Sequence, residues 1–213
     1  MNKIQNKTID AANIVTERLI YDIQDRRYIN IGKHCTLACT FCPKTHGDPI
    51  VHNYYLGLSK QPDTQDIIAQ LGKVSDFSEY VFCGYSEPTL RLKPLLEIAS
   101  AIKSQGGRVR VNTDGLANLV HKRNVLPELA TCVDALSISL NAQNQQVYDL
   151  HCQPGLPAAY TALREFIALA PQYIDDITLT AINNLAGVDI EACKEIARFH
   201  GVNFRQRELD ILG

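Results

Sequence analysis

The sequence predicts an α/β protein built on a parallel sheet. Three observations carry this. Short β-rich runs alternate with amphipathic helical runs, the order that joins parallel strands by crossover helices. The chain has 213 residues, enough for one full-sized domain and not comfortably two. Polar motifs follow the C-terminal ends of successive strands, the edge where such folds place their sites. Alternation and length leave two layouts open, a doubly wound sheet and a curved partial barrel.

Residues 1–17 start polar (MNKIQNKTID) and read as a flexible or extended lead, and residues 18–213 as a single domain. In RLIYDIQDRRYINIG, two β-rich runs flank Asp22–Arg26, which predicts a hairpin or lead-in strand. The second run, Tyr28–Ile31, enters a cysteine-bearing loop that continues past Pro43, Gly47 and Pro49 to about Gln61. Pro62–Gly72 reads as a helix with Ile67, Ile68 and Leu71 on one side. Glu79–Cys83 is a strand. Leu92–Lys103 is a helix with an apolar face of Leu95, Leu96, Ile98, Ala99 and Ile102, stopped by Gly106–Gly107. Arg108–Val111 is a strand. Leu119–Ala130 is helical and broken near Pro127. Ala135–Leu140 is a strand, and Gln143–Leu150 and Pro157–Ala170 are helices. Ile174–Ile182 is a strand, Ile190–Phe199 a helix ending before Gly201, and Val202–Arg205 the last strand. An eight-stranded barrel typically needs about 250 residues, so one side stays open and its edges need cover, which the N-terminal hairpin can give.

The net charge of −2 excludes a long nucleic-acid track. Local basic runs at Gly107–Arg110 and His121–Arg123 read as solvated faces. No apolar run is long enough to span a membrane. The N-terminus lacks an apolar signal core, so the expected location is cytoplasmic. Seven cysteines, odd in number and partly clustered, favour metal binding in a reducing compartment over a disulfide framework. Cys132, Cys152 and Cys193 read as buried small side chains, whereas Cys83 has informative neighbours.

Cys35, Cys39 and Cys42 are spaced C-x3-C-x2-C. Thiolates are soft ligands that suit iron–sulfur clusters or zinc. A structural zinc site needs a fourth ligand, for which His34 and His46 are candidates, but the usual two close pairs are missing. Three thiolates on one loop instead suit three irons of a [4Fe–4S] cube, with the fourth iron left for a small molecule. Phe41 between the last two cysteines is placed to shield a cluster or pack beside a nucleoside.

This loop, with Phe41 before its last cysteine, resembles that of the radical S-adenosylmethionine (SAM) enzymes. The resemblance implies a partial (β/α)6 TIM-like barrel of the radical SAM type with an N-terminal strand or hairpin extension. It implies that SAM chelates the open iron and that one electron cleaves it to methionine and a 5′-deoxyadenosyl radical. It also implies a reducing partner such as flavodoxin or ferredoxin.

Gly84-Tyr85-Ser86-Glu87-Pro88 resembles the family's Gly-Gly-Glu-Pro motif, whose backbone meets the SAM amino group. Gly84 would let the chain approach closely, Ser86 stands where glycine is common, and Glu87 would orient the loop. VNTDG, residues 111–115, resembles the family's Thr-Asn-Gly turn, with Asp114 in place of asparagine and Asn112 beside it. In SISLNA, alternation puts Ser137, Ser139 and Asn141 on one face, and the family implies that Ser139 and Asn141 bond the ribose or the methionine carboxylate. In ITLTAIN, Thr178, Thr180 and Ile182 share a face, and the resemblance to the family implies that this strand end, with Thr180, lies against adenine.

Arg205 and Arg207 share a parity, and a guanidinium there suits a carboxylate or phosphate. With Lys44 and His46 they would form a positive rim for a small anionic molecule or a short acidic protein segment. The loop from Cys42 to Gln61, with His46, His52, Tyr54 and Tyr55, would serve as a lid or substrate wall. Longer stretches, among them YINIGKHCTLACTFCPK, FCGYSEPTLRL and SISLNAQNQQVYDLHCQP, resemble the small radical SAM proteins associated with TatD-family nucleases. That implies a TatD-family partner and no substrate. Two other readings stay open: a protein of the glycyl-radical-enzyme-activating type, and a non-catalytic iron–sulfur or zinc-binding interaction protein.

Overall fold

Seven strands form one curved sheet in the computed structural model, which describes residues 16–209. The expected lead of residues 1–17 lies outside the described residues apart from Thr16 and Glu17. Strands β1 (Ile20–Ile23) and β2 (Arg26–Ile29) make an antiparallel hairpin, as their flanking of Asp22–Arg26 predicts. From β2 onward the pairing is parallel, through β5 (Glu79–Phe82), β6 (Val109–Thr113), β7 (Ala135–Ser139), β8 (Asp176–Asn183) and β9 (Asn203–Glu208). That makes six parallel strands in chain order, with β1 and β9 at the edges.

A flat sheet would hold β2 and β9 about 24 Å apart at ordinary strand spacing. Yet Arg26 of β2 and Arg205 of β9 line one cavity of about 210 Å³. The sheet is therefore rolled into a partial barrel.

Helices cover the outer face. They are α1 (Thr64–Ile68), α2 (Leu92–Lys103), α3 (Ala117–His121), α4 (Leu126–Leu129), α5 (Gln145–Cys152), α6 (Ala159–Leu169) and α7 (Ile190–Phe199). The main core lies between them and the outward strand residues, including Ile29, Phe82, Val111, Ile138 and Leu179. The alternate residues face the lumen, where a smaller apolar cluster of Tyr21, Tyr28, Leu56 and Val81 sits at the β1–β2 end. Among the described residues no helix is long and apolar enough to cross a membrane.

Three expectations need correction. The helix expected over Pro62–Gly72 shrinks to five residues. Asp63 caps its start by accepting from the Gln65 amide at 2.8 Å, and Arg27 takes the Leu71 carbonyl at 2.8 Å just past its end. The Cys42–Gln61 loop contains a small hairpin, β3 (Ile50–Val51) and β4 (Tyr54–Tyr55), turned by His52 and Asn53, both at positive φ. That is the backbone a tight two-residue hairpin turn needs. Finally, β7 ends at Ser139, and Asn141 has a φ of +58°. Strand alternation therefore does not extend to Asn141, and a left-handed turn sets its direction instead.

Candidate active site

Asn30 follows β2 and is fully buried. Its Nδ2 donates to the carbonyls of Leu56 (2.8 Å) and Arg18 (3.1 Å), and its Oδ1 accepts from the Tyr85 amide at 3.2 Å. One side chain thus ties the β1 entry, the loop after β4 and the loop after β5. A Cβ on Gly84 would sit 2.6 Å from the Asn30 Cγ. Glycine is required at 84 because Asn30 occupies that space, a reason the sequence pattern does not reveal. Ser86 stands against Gly32: a Cβ there would lie 3.0 Å from the serine Oγ.

The loop after β5 grips the cysteine loop at two points. The Glu87 amide donates to the His34 carbonyl at 2.9 Å, and the Tyr85 hydroxyl to the Pro43 carbonyl at 3.3 Å. The Glu87 side chain is buried and staples β5 to β6. Its Oε1 accepts from the Thr89 amide (3.0 Å), the Thr89 hydroxyl (2.7 Å) and the Thr113 hydroxyl (2.9 Å), and its Oε2 from the Asp114 amide (2.7 Å). Three donors converge on Oε1 and one on Oε2. Asp114 accepts from the Leu116 amide at 2.9 Å and from the Thr36 hydroxyl in the cysteine loop. Both acids are raised, by burial first; for Glu87 repulsion from Asp114 comes second.

The cysteine loop is wound by its own backbone. The Cys42 amide donates to Cys39, and the Thr45 amide to Cys42, each at 3.0 Å. On its other side the loop is zipped to the end of α5. Leu37 bridges Pro154, the Ala38 amide donates to Gln153 (3.3 Å) and the Thr40 amide to His151 (2.8 Å). That register sets Cys39 opposite Cys152. His151 links two loops, with Nε2 donating to the Ala186 carbonyl at 2.7 Å and the Thr40 hydroxyl 3.5 Å from Nδ1.

All seven cysteines are free thiols. Partial desolvation, then Asp114, shifts the Cys35 thiol upward although the residue is exposed. Contact with Cys152, then burial, raises Cys39, and desolvation raises Cys42. In the metal-free chain these are protonated thiols, so metal binding must release protons. Among the described residues no three His, Cys, Asp or Glu side chains converge on a single ion position. A cube gives each thiolate a different iron, so such convergence is not required of the loop.

The remaining candidates lie along the lumen face. Ser139, Thr180 and Arg205 stand side by side on β7, β8 and β9. Asn112 accepts from Arg110 at 3.1 Å. Phe41 is half-buried and packs on the main core. Asn141 is 2 % exposed, its Nδ2 is 3.7 Å from the Cys152 Sγ, and its Oδ1 has no partner. Lys44 and His46, expected in a rim with Arg205 and Arg207, are both held at the cysteine loop. Each is engaged by its own neighbourhood, Lys44 by the Lys33 carbonyl and His46 by the Thr40 carbonyl at 2.6 Å.

Sequence reasoning missed Asn30, His151 and Tyr148. Tyr148 is fully buried one turn before Cys152 on α5, with an unpartnered hydroxyl. No local motif marks these three, although a lone Asn at the end of an apolar strand is a faint signal.

The geometry and the family agree. Residues 29–203 match the model of the Radical SAM superfamily, and the chain belongs to that superfamily. It carries a radical SAM catalytic domain. Among solved structures it is similar to TYW1 with a lysine–pyruvate adduct bound, at 14 % identity and a TM-score of 0.59, covering 89 % of this chain and 67 % of that one. It is also similar to Streptococcus suis SuiB bound to S-adenosylmethionine, at 13 % identity and a TM-score of 0.65, covering 87 % of this chain and 40 % of that one. A third is methylornithine synthase (PylB), at 14 % identity and a TM-score of 0.50, covering 86 % and 54 %. At such identities the likeness shows the fold alone. The chain spans about two fifths of the SuiB length. No curated protein matches it.

The residues present fit the family's cofactors. Three soft donors share one tightly wound loop, and a buried amide oxygen beside it, on Asn141, lacks a donor. An orphaned buried acceptor of this kind calls for a ligand or water.

Proposed function

We propose that this chain is a radical SAM enzyme whose cluster is held by Cys35, Cys39 and Cys42. The observation that carries the reading is the cysteine loop itself, fixed between the Gly84–Pro88 loop and the end of α5 at the C-terminal edge of the strands. Bound there, a [4Fe–4S] cluster and SAM would supply a 5′-deoxyadenosyl radical that takes a hydrogen atom from a substrate.

The chain's residues divide the remaining work. The backbone of Gly84, Tyr85 and Ser86 offers the polar rim for the SAM amino group. Glu87 and Asp114 act as positioning residues, since their carboxylates hold that rim, the β6 turn and Thr36 in one unit. Asn112, Ser139, Asn141 and Thr180 supply polar contacts from the lumen. Phe41 and the loops around it shelter Cys39 and Cys42 more than the exposed Cys35. The substrate is a small anionic molecule or a short acidic protein segment, and the electron comes from a flavodoxin or ferredoxin type of protein. The longer resemblances favour an association with a TatD-family partner. Seven free thiols favour work in a reducing cytoplasm.

Anaerobic reconstitution tests the reading. Iron and labile sulfide should appear in the proportions of one cube per chain, and dithionite should then release 5′-deoxyadenosine from SAM. Cys35→Ala, Cys39→Ala and Cys42→Ala should each abolish release. Stoichiometric zinc without sulfide, or equal nucleoside release from all four proteins, would overturn the assignment.

A further inference from the structure

The lumen of the partial barrel is short of negative charge. Arg26, Arg110 and Arg205 line its cavity, and Arg207 follows Arg205 on the same face of β9. Glu79 serves Arg110 at 2.9 Å, Arg108 at 3.4 Å and Arg26 at 3.6 Å. Asp176 is engaged by Arg108 at 2.5 Å. Among the described residues, Arg205 and Arg207 have no acid and no hydrogen-bond acceptor. The Arg207 Nε is buried without a partner.

Arg205 is exposed and Arg207 half-buried, so the cost of this arrangement falls on the buried Arg207 Nε. A guanidinium cannot shed its proton to escape a desolvated site, unlike a lysine or histidine. An uncompensated buried charge must find a counter-charge or draw in water. Arg205 also feels repulsion from Arg110 and Arg207. Among the described residues no further acid reaches this group, so an anion from outside would complete it.

The shape limits what that anion is. Arg205 and Arg207 are two positions apart on one strand, about 7 Å along it, so both forks can reach one small group. Thr180 pairs with Arg205 and Ser139 with Thr180, which adds two hydroxyl donors at the same level. The cavity beside Arg26, Arg110 and Arg205, about 210 Å³, has room for one small group. We infer that Arg110, Arg205 and Arg207 form a lumenal seat for the carboxylate or phosphate group of a small-molecule substrate. It adjoins the strand positions assigned to SAM and replaces the rim expected with Lys44 and His46. That the ligand is a substrate rests on the radical SAM reading, whereas its binding does not.

The test is calorimetric titration of the anaerobically reconstituted protein with inorganic phosphate and, separately, with succinate. Each titration is run with and without saturating SAM, in low-chloride buffer. At least one anion should bind. Arg205→Gln and Arg207→Gln should each weaken it about tenfold to hundredfold, the loss expected for a charge-assisted bond. Arg207→Lys keeps the charge and the fold but loses the fork, and should fall between. Arg123→Gln, a surface arginine paired with Glu128, should bind as wild type does. No binding of either anion, equal binding by wild type and all three lumen variants, or displacement of the anion by SAM would each overturn the inference. The last result would make this the seat of the SAM carboxylate. Wild type that fails to cleave SAM would remove the radical reading and leave the titration standing.

Discussion

Glu87 shows how much one residue carries. It holds two strand ends together, and it does so as a carboxyl group buried beside another. Burial and Asp114 push it up to about 8, whereas an unfolded glutamate sits at about 4.3. Between those values the folded chain holds a proton that the unfolded chain has released. The stability linked to this group is full below about pH 4.3 and is lost as pH rises through about 8, with a slope of at most about 1.4 kcal/mol per pH unit. Urea unfolding of the metal-free protein between about pH 5.5 and 7.5 should therefore show stability falling with pH, a window below ordinary thiol titration. Glu87→Gln should lower stability overall and flatten that slope; equal slopes would refute the link. Tyr148 predicts the opposite kind of result. Its hydroxyl has no partner in the chain, so Tyr148→Phe removes no internal bond and should change metal-free stability by less than about 1 kcal/mol in urea melts. The cysteines and the Gly84–Pro88 motif were legible because their chemistry is local in sequence. Asn30 and Tyr148 were not, since only the tertiary fold brings them to the loop.

At the scale of elements, legibility followed the strength of local signals. The Ile190–Phe199 helix keeps its expected bounds because Asp189 caps it, accepting from the Ala192 amide at 2.9 Å, and its apolar stripe is regular. Alternation placed Ser137 and Ser139 correctly on β7 and failed at Asn141, where the backbone turns left-handed. The β3–β4 hairpin escaped notice because two-residue strands carry no periodicity. The pairing of the cysteine loop with α5 was also invisible, since it joins residues more than a hundred positions apart. His151 is the joint of that pairing. His151→Ala would remove the bond to the carbonyl of the exposed Ala186 and free the half-buried Thr40, where water can substitute, a loss of about 0.5–1.5 kcal/mol. The loop should loosen more than the sheet. Iron retained after reconstitution and gel filtration should drop well below wild type, while the circular-dichroism spectrum stays the same. Full iron retention would show that the loop holds its shape without this joint.

Among the described residues there are two apolar cores of unequal size, one on each face of the rolled sheet. The outer core joins the helices to most of the strands, whereas the lumen cluster gathers around Tyr21, Tyr28, Leu56 and Val81 and carries the β3–β4 hairpin. Tyr54 pins that hairpin by donating to the Asp22 carbonyl at 2.9 Å, with its ring 5.2 Å from Tyr21. Such an appendage can open without unfolding the rest, as regions with few buried contacts do. Two equivalent truncations should therefore behave differently. Leu179 is fully buried in the outer core and Leu56 is 1 % exposed in the lumen cluster. Leu179→Ala should cost about 2–5 kcal/mol of global stability, the usual range for a buried leucine. Leu56→Ala removes as much side chain, but the hairpin can detach and cap part of the loss. It should cost clearly less in urea unfolding and should speed proteolysis between Pro49 and Gly57 under native conditions. Equal global losses with no gain in cleavage there would mean that the hairpin unfolds only with the barrel, and that it is a fixed wall of the lumen and not a movable cover.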